Sequence, residues 1–339
     1  MKAIVISRFG GPDVLQVREF PDPTPNAGEV RVRVKAAGLN FSDVMARKGL
    51  YPDAPKPPTI VGYEASGIVD ALGEGVTTPA IGTRVIVLSR FNAQAELICA
   101  PARQVFPLPE EMSFEEGAAL PVTYLTAYHM LFQVAGLRQG RSVLVHMAAG
   151  GVGVAVVQLC KTIPNVTVFG TASAGKHAFL RELGCANPID YHSKDYVAEV
   201  NRLTNGQGVD IVLDPLGGGD WKKGYSLLRP GGHMVCYGFS NIAQGEKRSL
   251  LRAVSQMMRV PFFTPLGLMD KNRSVAGVNV GHLWGETELL RGELEAILAL
   301  YRQGSIKPHI DSVIPFAEAA KAHGRIESRA NVGKVLLVP

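Results

Sequence analysis

The sequence predicts an α/β protein in which a β-rich opening third is joined to a doubly wound parallel sheet. Three observations carry this. Short runs rich in Val and Ile, separated by Gly and Pro clusters, fill the first third. From Ser113 onward, strand-like apolar runs alternate with helix-like ones. One such pair flanks a glycine-rich turn, Ala148-Ala149-Gly150-Gly151-Val152-Gly153.

The elements follow in chain order. Strands are expected at residues 2–6, 14–19, 29–37, 65–72 and 84–88; the third of them, EVRVRVKAA, alternates as a half-buried strand does. Residues 40–48 read as a short helix, and GLYPDAPKPP as a loop. Ser113-Phe114-Glu115-Glu116 is a capping box. Strands at 141–146, 166–170, 188–189, 209–214 and 233–237 then alternate with helices at 152–162, 174–183 and 196–204 and one beginning at Asp220. A strand at 275–280, a helix at 286–303 and a strand at 334–338 close the chain.

Composition narrows the function. The length of 339 residues suggests about two domains. A net charge of +5, with no basic block, excludes a nucleic-acid protein. Glycine supplies 37 residues, an excess expected of tight turns or of backbone lying against a ligand. Residues 117–137 and 142–160 carry no charge and are long enough to span a membrane. Pro121, Thr123, Thr126, His129 and Gln133 interrupt the first stretch, and three glycines the second, so both read as buried core. Cys99, Cys160, Cys185 and Cys236 form no CxxC pair, which argues against a structural zinc site. Scattered cysteines without a signal-peptide core predict a reducing, cytoplasmic setting.

The glycine-rich turn has a specific chemistry. Gly150 lets backbone approach a pyrophosphate, and Gly153 lets the helix pack on the strand. Gly151 and Val152 open the helix and turn free N–H groups toward the phosphates. Acidic residues that would hold a ribose 2′-hydroxyl are missing from the end of the next strand, which offers Thr171, Ser173 and Lys176 instead. That set favours a 2′-phosphate, so the expected cofactor is NADPH. Residues 241–274 stand apart. Leu250, Leu251, Val254, Met257 and Met258 recur at helical spacing among Lys247, Arg248, Arg252 and Arg259. They read as an amphipathic helix on a core or dimer face, or as a lid or membrane-facing helix.

With these features the chain resembles the medium-chain dehydrogenase/reductase superfamily, and within it the zinc-independent quinone oxidoreductases. The resemblance lies in Phe9-Gly10-Gly11-Pro12, Gly38-Leu39-Asn40-Phe41-Ser42-Asp43, Gly62-Tyr63-Glu64, Gly82-Thr83-Arg84-Val85, the glycine turn and Gly333-Lys334-Val335. Residues 144–159, 165–174, 210–218 and 306–312 are similar to the vesicle amine transport protein-1 branch. The resemblance implies a GroES-like β-barrel catalytic domain (1–120 and 266–339) split around a Rossmann domain (121–265), a nicotinamide cleft between them, and a homodimer joined at a Rossmann sheet edge. It places Asn40, Phe41, Asp43 and Met45 beside the nicotinamide, with Thr126 and His129 on the helix entering the Rossmann domain. Gly151 and Val152 fall on the pyrophosphate, and Ser173, Lys176 and Tyr191 on the 2′-phosphoadenosine. Leu216, Gly238, Phe239 and Ser240 line the far side, and Arg329 reaches the phosphates. Met45 stands where some relatives carry a substrate-mouth Tyr. Zinc-containing relatives have a Cys at Leu39 or Asn40 and a His at Tyr63; Glu64 alone falls short of the three or so protein ligands a catalytic zinc needs, so no metal is expected.

Without a Lewis acid, quinones and α,β-unsaturated carbonyls are better hydride acceptors than simple ketones, because the added charge delocalises. Asn40, Tyr51 and Tyr63 are the candidate donors to the substrate oxygen. The expected function is zinc-free, NADPH-dependent reduction of such small molecules. The competing reading is a non-catalytic or membrane-associated NADPH-binding protein.

Overall fold

In the computed structural model, residues 1–243, 245 and 249–339 are described. Lys247 and Arg248, two of the basic residues noted above, lie outside them.

The first part is β-rich, as the Val/Ile pattern predicts. Strands β1 (Lys2–Ile6), β2 (Leu15–Glu19), β3 (Glu29–Leu39), β4 (Thr59–Ile60), β5 (Glu64–Leu72), β6 (Arg84–Leu88), β7 (Leu97–Pro101) and β8 (Val105–Pro107) precede the helical section. Val30, Val32 and Val34 alternate inward along β3, which pairs antiparallel with β5. Helix α1 (Phe41–Arg47) follows β3 directly, and α2 (Phe114–Ala119) begins at the Ser113–Glu116 capping box, both of whose arms are made.

Helix α3 (Pro121–Tyr128) runs on into a π-helical turn at His129–Val134. The first charge-free stretch thus folds as packed helix, with Leu120, Tyr124, Leu125, Ala127, Met130 and Leu131 at 1% exposure or less. The second becomes β9 (Ser142–Val145), the glycine turn and α4 (Gly151–Lys161). Strands β10 (Thr167–Ala172), β11 (Asn187–Asp190), β12 (Val209–Asp214), β13 (Leu228–Cys236) and β14 (Ser274–Gly277) complete a six-stranded parallel sheet in the order β11-β10-β9-β12-β13-β14. This is the doubly wound order, with the switch point between β9 and β12. Between its strands lie α5 (His177–Leu183), α6 (Tyr196–Leu203), α7 (Gly219–Ser226), α8 (Leu250–Met258) and α9 (Pro265–Lys271). Val143, Leu144 and Val145 are all at 0% exposure, as expected of a strand covered on both faces.

Helix α10 (Thr287–Arg302), β15 (Ile310–Pro315), α11 (Ala319–Glu327) and β16 (Lys334–Val338) return the chain to the antiparallel sheet, where β16 pairs with β3. The parallel sheet runs past residue 265, because β14 pairs with β13 from His233↔Ser274 to Cys236↔Gly277. A division near residue 277 fits the strand pairing better than one at 265. Strands β7, β8 and β15 and helix α11 escape the sequence pattern. β15 reads IDSVIP, in which Asp, Ser and Pro break the apolar run of an edge strand.

The helical spacing at 250–258 is realised in α8, but Leu251, Val254, Met257 and Met258 are not packed on this chain's core. Leu251 is 86% and Met258 83% exposed, and Phe262, Leu266 and Met269 extend the apolar surface into α9. Among the described residues, no helix is long and apolar enough to cross a membrane.

Candidate active site

The carboxyl ends of the parallel strands face the antiparallel domain across a cleft of about 1820 Å³. Such a crevice at a switch point is where ligands bind in open α/β sheets. The glycine turn forms one wall. A Cβ on Gly153 would sit 2.4 Å from the Ala148 carbonyl oxygen, so only glycine lets α4 close onto the turn. Gly150, Gly151, Val152 and Gly153 all line the cleft. The first amides of α4 have no carbonyl in the preceding turn to pair with and are available there. Gly333 N donates to Ala149 O at 2.8 Å, tying the turn to the other domain.

Beneath the turn lies a buried polar cluster. His146 Nδ1 and the Thr171 hydroxyl are 3.1 Å apart, and the same hydroxyl accepts from Met147 N at 3.3 Å. Asp214 Oδ1 accepts from Leu216 N at 2.5 Å and Gly217 N at 3.1 Å, shaping the turn after β12. Burial pushes the His146 imidazole down and the Asp214 carboxyl up. Thr171 lines the cleft as expected, but its hydroxyl is committed to this cluster and holds the strand end.

In the lining of the cleft, Ser173, Lys176, Tyr191 and Arg329 come together from distant positions. Lys176 is not a solvated surface lysine. Its Nζ donates to the carbonyls of Arg329 and Asn331, each at 2.7 Å, and burial lowers its pKa. Two of its three N–H bonds are therefore used within the protein. Leu216, Gly238, Phe239 and Ser240 also line the cleft, with Phe239 stacked on Trp221 at 5.3 Å.

The antiparallel-domain wall carries Asn40, Phe41, Met45, Tyr51 and Tyr63, joined by Thr126 from α3. Tyr51 and Tyr63 meet edge-on, 6.3 Å between ring centres, and burial raises both phenols. Asn40 belongs to a polar knot. Glu64 accepts from Asn40 Nδ2 at 2.9 Å, Lys334 Nζ at 2.5 Å and Val122 N at 2.7 Å, and Lys334 Nζ also donates to Asn40 Oδ1 at 2.6 Å.

Two expected cofactor residues lie outside the cleft lining. Asp43 is fully buried, and its carboxylate accepts from the backbone N–H of Asn40 and of Gly62. Burial pushes that carboxyl up to about 7. It braces the start of α1 instead of reaching a ligand. His129 Nδ1 pairs with Glu293 Oε1 at 2.8 Å, where α3 runs against α10; burial raises the Glu293 carboxyl. His129 follows Thr126 by three positions, but the π-helical turn that begins at His129 leads toward α10.

Sequence reasoning missed several residues of the cleft wall, including Lys334, Asn279, His282 and Trp284. A signal existed for the first: a lone Lys opens the otherwise apolar strand KVLLV, and a lone Glu opens EASGIV. Contacts between segments far apart in the sequence were also invisible. Lys48 Nζ donates to Ala243 O at 2.9 Å and Gly245 O at 2.5 Å, and His282 Nε2 meets Asp53 Oδ2 at 2.7 Å. Among the described residues, no group of three or more His, Cys, Asp or Glu is placed to hold a metal ion.

Comparison with known proteins agrees with this geometry. Residues 26–110 match the alcohol dehydrogenase GroES-like domain, and residues 183–337 a family described as zinc-binding dehydrogenase. The human synaptic vesicle membrane protein VAT-1 homolog is 50% identical over 341 residues, covering 100% of this chain and 86% of that protein. A quinone oxidoreductase of Pseudomonas aeruginosa is 32% identical, covering 100% of this chain and 99% of that protein. The structure of Escherichia coli quinone oxidoreductase complexed with NADPH superimposes with a TM-score of 0.88 at 30% identity, covering 100% of both chains. With the split antiparallel domain, the doubly wound sheet and the glycine turn in the cleft between them, the chain belongs to the medium-chain dehydrogenase/reductase superfamily of oxidoreductases, close to the VAT-1 homologues and the quinone oxidoreductases.

Proposed function

We propose that the protein reduces quinones or α,β-unsaturated carbonyls with NADPH, without zinc. The observation that carries this is the single cleft shared by the glycine turn, Lys176 and the Asn40–Tyr51–Tyr63 wall. The residues fit a phosphorylated dinucleotide: Gly153, where a Cβ would meet the Ala148 oxygen at 2.4 Å, lets α4 close on the turn with its first amides at the cleft, and Lys176 is held by two carbonyls with one N–H to spare. Bound NADPH supplies the hydride. The amides of Gly151 and Val152 hold the pyrophosphate, Lys176, Ser173 and Tyr191 the 2′-phosphate end, and Arg329 the phosphates. Phe41, Met45 and Thr126 orient the ring, and Leu216, Gly238, Phe239 and Ser240 exclude water from the far side. Asn40, Tyr51 and Tyr63 donate to the substrate oxygen as charge develops on it. The protein acts in the cytoplasm as a homodimer joined at the edge strand β14.

Stopped-flow NADPH oxidation with a panel of quinones, enones and aldehydes tests this. Turnover is expected with the first two classes and persists after dialysis against a chelator. Tight NADPH binding with no turnover of any quinone or enone would sink the proposal. Lys176→Ala is expected to weaken NADPH about tenfold to a hundredfold more than NADH, the range of one charge-assisted hydrogen bond. Equal losses for the two cofactors contradict the 2′-phosphate role. A second reading, a non-catalytic protein docked on a membrane surface, rests on the exposed apolar stripe of α8 and α9. Liposome flotation with and without Leu251→Ser/Met258→Ser decides it.

A further inference from the structure

Glu64 and Lys334 form an ion pair at 0% and 4% side-chain exposure, with Lys334 lining the cleft and Glu64 fully buried behind it. Burying two charges is costly unless their hydrogen bonds are satisfied. Here they touch each other directly, Glu64 also accepts from Val122 N, and the Asn40 amide bonds to both partners. An ammonium only donates and a carboxylate only accepts. The atom 2.6 Å from Lys334 Nζ is therefore Asn40 Oδ1, and the atom 2.9 Å from Glu64 Oε1 is Asn40 Nδ2. Turning the amide over would set N–H against ammonium and oxygen against carboxylate. The pair leaves Asn40 one orientation, with one N–H of its amide not used by Glu64.

We infer that Lys334 and Glu64 are positioning residues that lock the Asn40 amide so that its second N–H donates to the carbonyl oxygen of the acceptor. This rests on the reductase reading above. Two electrostatic consequences follow from the same contacts. The Lys334 cation on Oδ1 draws electron density from the amide and strengthens that N–H as a donor. It also neutralises Glu64, whose bare carboxylate would oppose negative charge growing on the substrate oxygen. Glu64 further accepts from Val122 N at the start of α3, so the knot links β5, β16, α1 and α3 at one point. A donor in a fixed direction needs no reorganisation as charge develops.

The test is a double-variant cycle on kcat with a quinone acceptor, using Lys334→Met and Asn40→Ala. Each single variant is expected to lower kcat about tenfold to a hundredfold, while Lys334→Met leaves the Kd for NADPH within about twofold. The double variant is expected to be no slower than Asn40→Ala alone, because Lys334 acts through Asn40. Multiplying losses, or a kcat unchanged in Lys334→Met, overturns the inference while leaving the reductase reading intact. Should Lys334→Met not fold, Lys334→Gln is read in the same cycle by the same criteria. A readout independent of turnover is the crystal structure of the Lys334 variant. An Asn40 amide rotated off Glu64 supports the inference, and an unmoved amide overturns it even if wild-type protein turns over no quinone.

Discussion

Gly153→Val is expected to abolish measurable NADPH binding, a loss beyond a hundredfold, and to lower stability by about 3 kcal/mol or more. The added Cβ would meet the Ala148 oxygen at 2.4 Å, the Ala148 carbonyl carbon at 2.5 Å and the Met147 oxygen at 2.5 Å. All three are backbone atoms and cannot rotate away. Helix α4 would have to lift off the turn, carrying its N-terminal amides out of the cleft. Fluorescence titration with NADPH and a thermal melt measure the two effects. Gly292→Ala serves as an opposite-signed control. It lies inside α10 with nothing within 4 Å of its would-be Cβ, so alanine there gains about 0.5–1 kcal/mol. Wild-type cofactor affinity in Gly153→Val would remove the turn from the site.

The second large effect concerns acid. His323 is at 0% exposure in α11, and among the described residues neither ring nitrogen has a hydrogen-bond partner. Burial first, and the neighbouring Arg47 cation second, push its imidazole down from the ordinary 6.5 to about 3. The folded protein therefore holds His323 neutral where the unfolded chain would protonate it. The sign follows from linkage: the unfolded state binds more protons, so stability falls as pH drops. The full contribution is present above pH 6.5 and is lost progressively between 6.5 and about 3. The slope approaches about 1.4 kcal/mol per pH unit, several kcal/mol across the window. His323→Leu, which cannot take a proton, is expected to be at least as stable at pH 7 and to resist acid unfolding. Denaturant melts of both proteins at pH 7, 5 and 4 check this; parallel loss of stability would contradict it.

Much of the fold was legible because it is local. The alternation of β3, the Ser113 capping box and the continuous apolar run of β9 each report their own element through a short window of residues. The glycine turn was legible for the same reason: strand, turn and helix are contiguous, and the steric need at Gly153 is set by Met147 and Ala148 a few positions away. Edge strands were harder. β15 carries polar residues and Pro because one side of it has no strand to match, and its pattern looks like loop.

The site residues divide along the same line. Gly150, Gly151 and Val152 stand in the cleft because the turn carries them there. Asp43 and His129 sit close in sequence to cleft residues yet face elsewhere, toward Gly62 N and Glu293 respectively. Which way a side chain points was decided by partners that no window contains. Lys334 meets Glu64 across 270 positions and Asn40 across 294, and Lys176 meets the Arg329 carbonyl across 153.

By itself, then, the amino-acid sequence determined the two kinds of sheet, the glycine turn between β9 and α4 and the absence of an acid at the end of β10, since steric and charge requirements there act between near neighbours. Only the tertiary structure decided that Thr171 holds His146 and Met147 instead of lying free, that Lys176 is braced by two carbonyls, and that Asn40 is clamped between two buried charges. Buried polar groups must find partners wherever the fold brings them, and in a chain split around its own central domain those partners lie at the far end of the sequence.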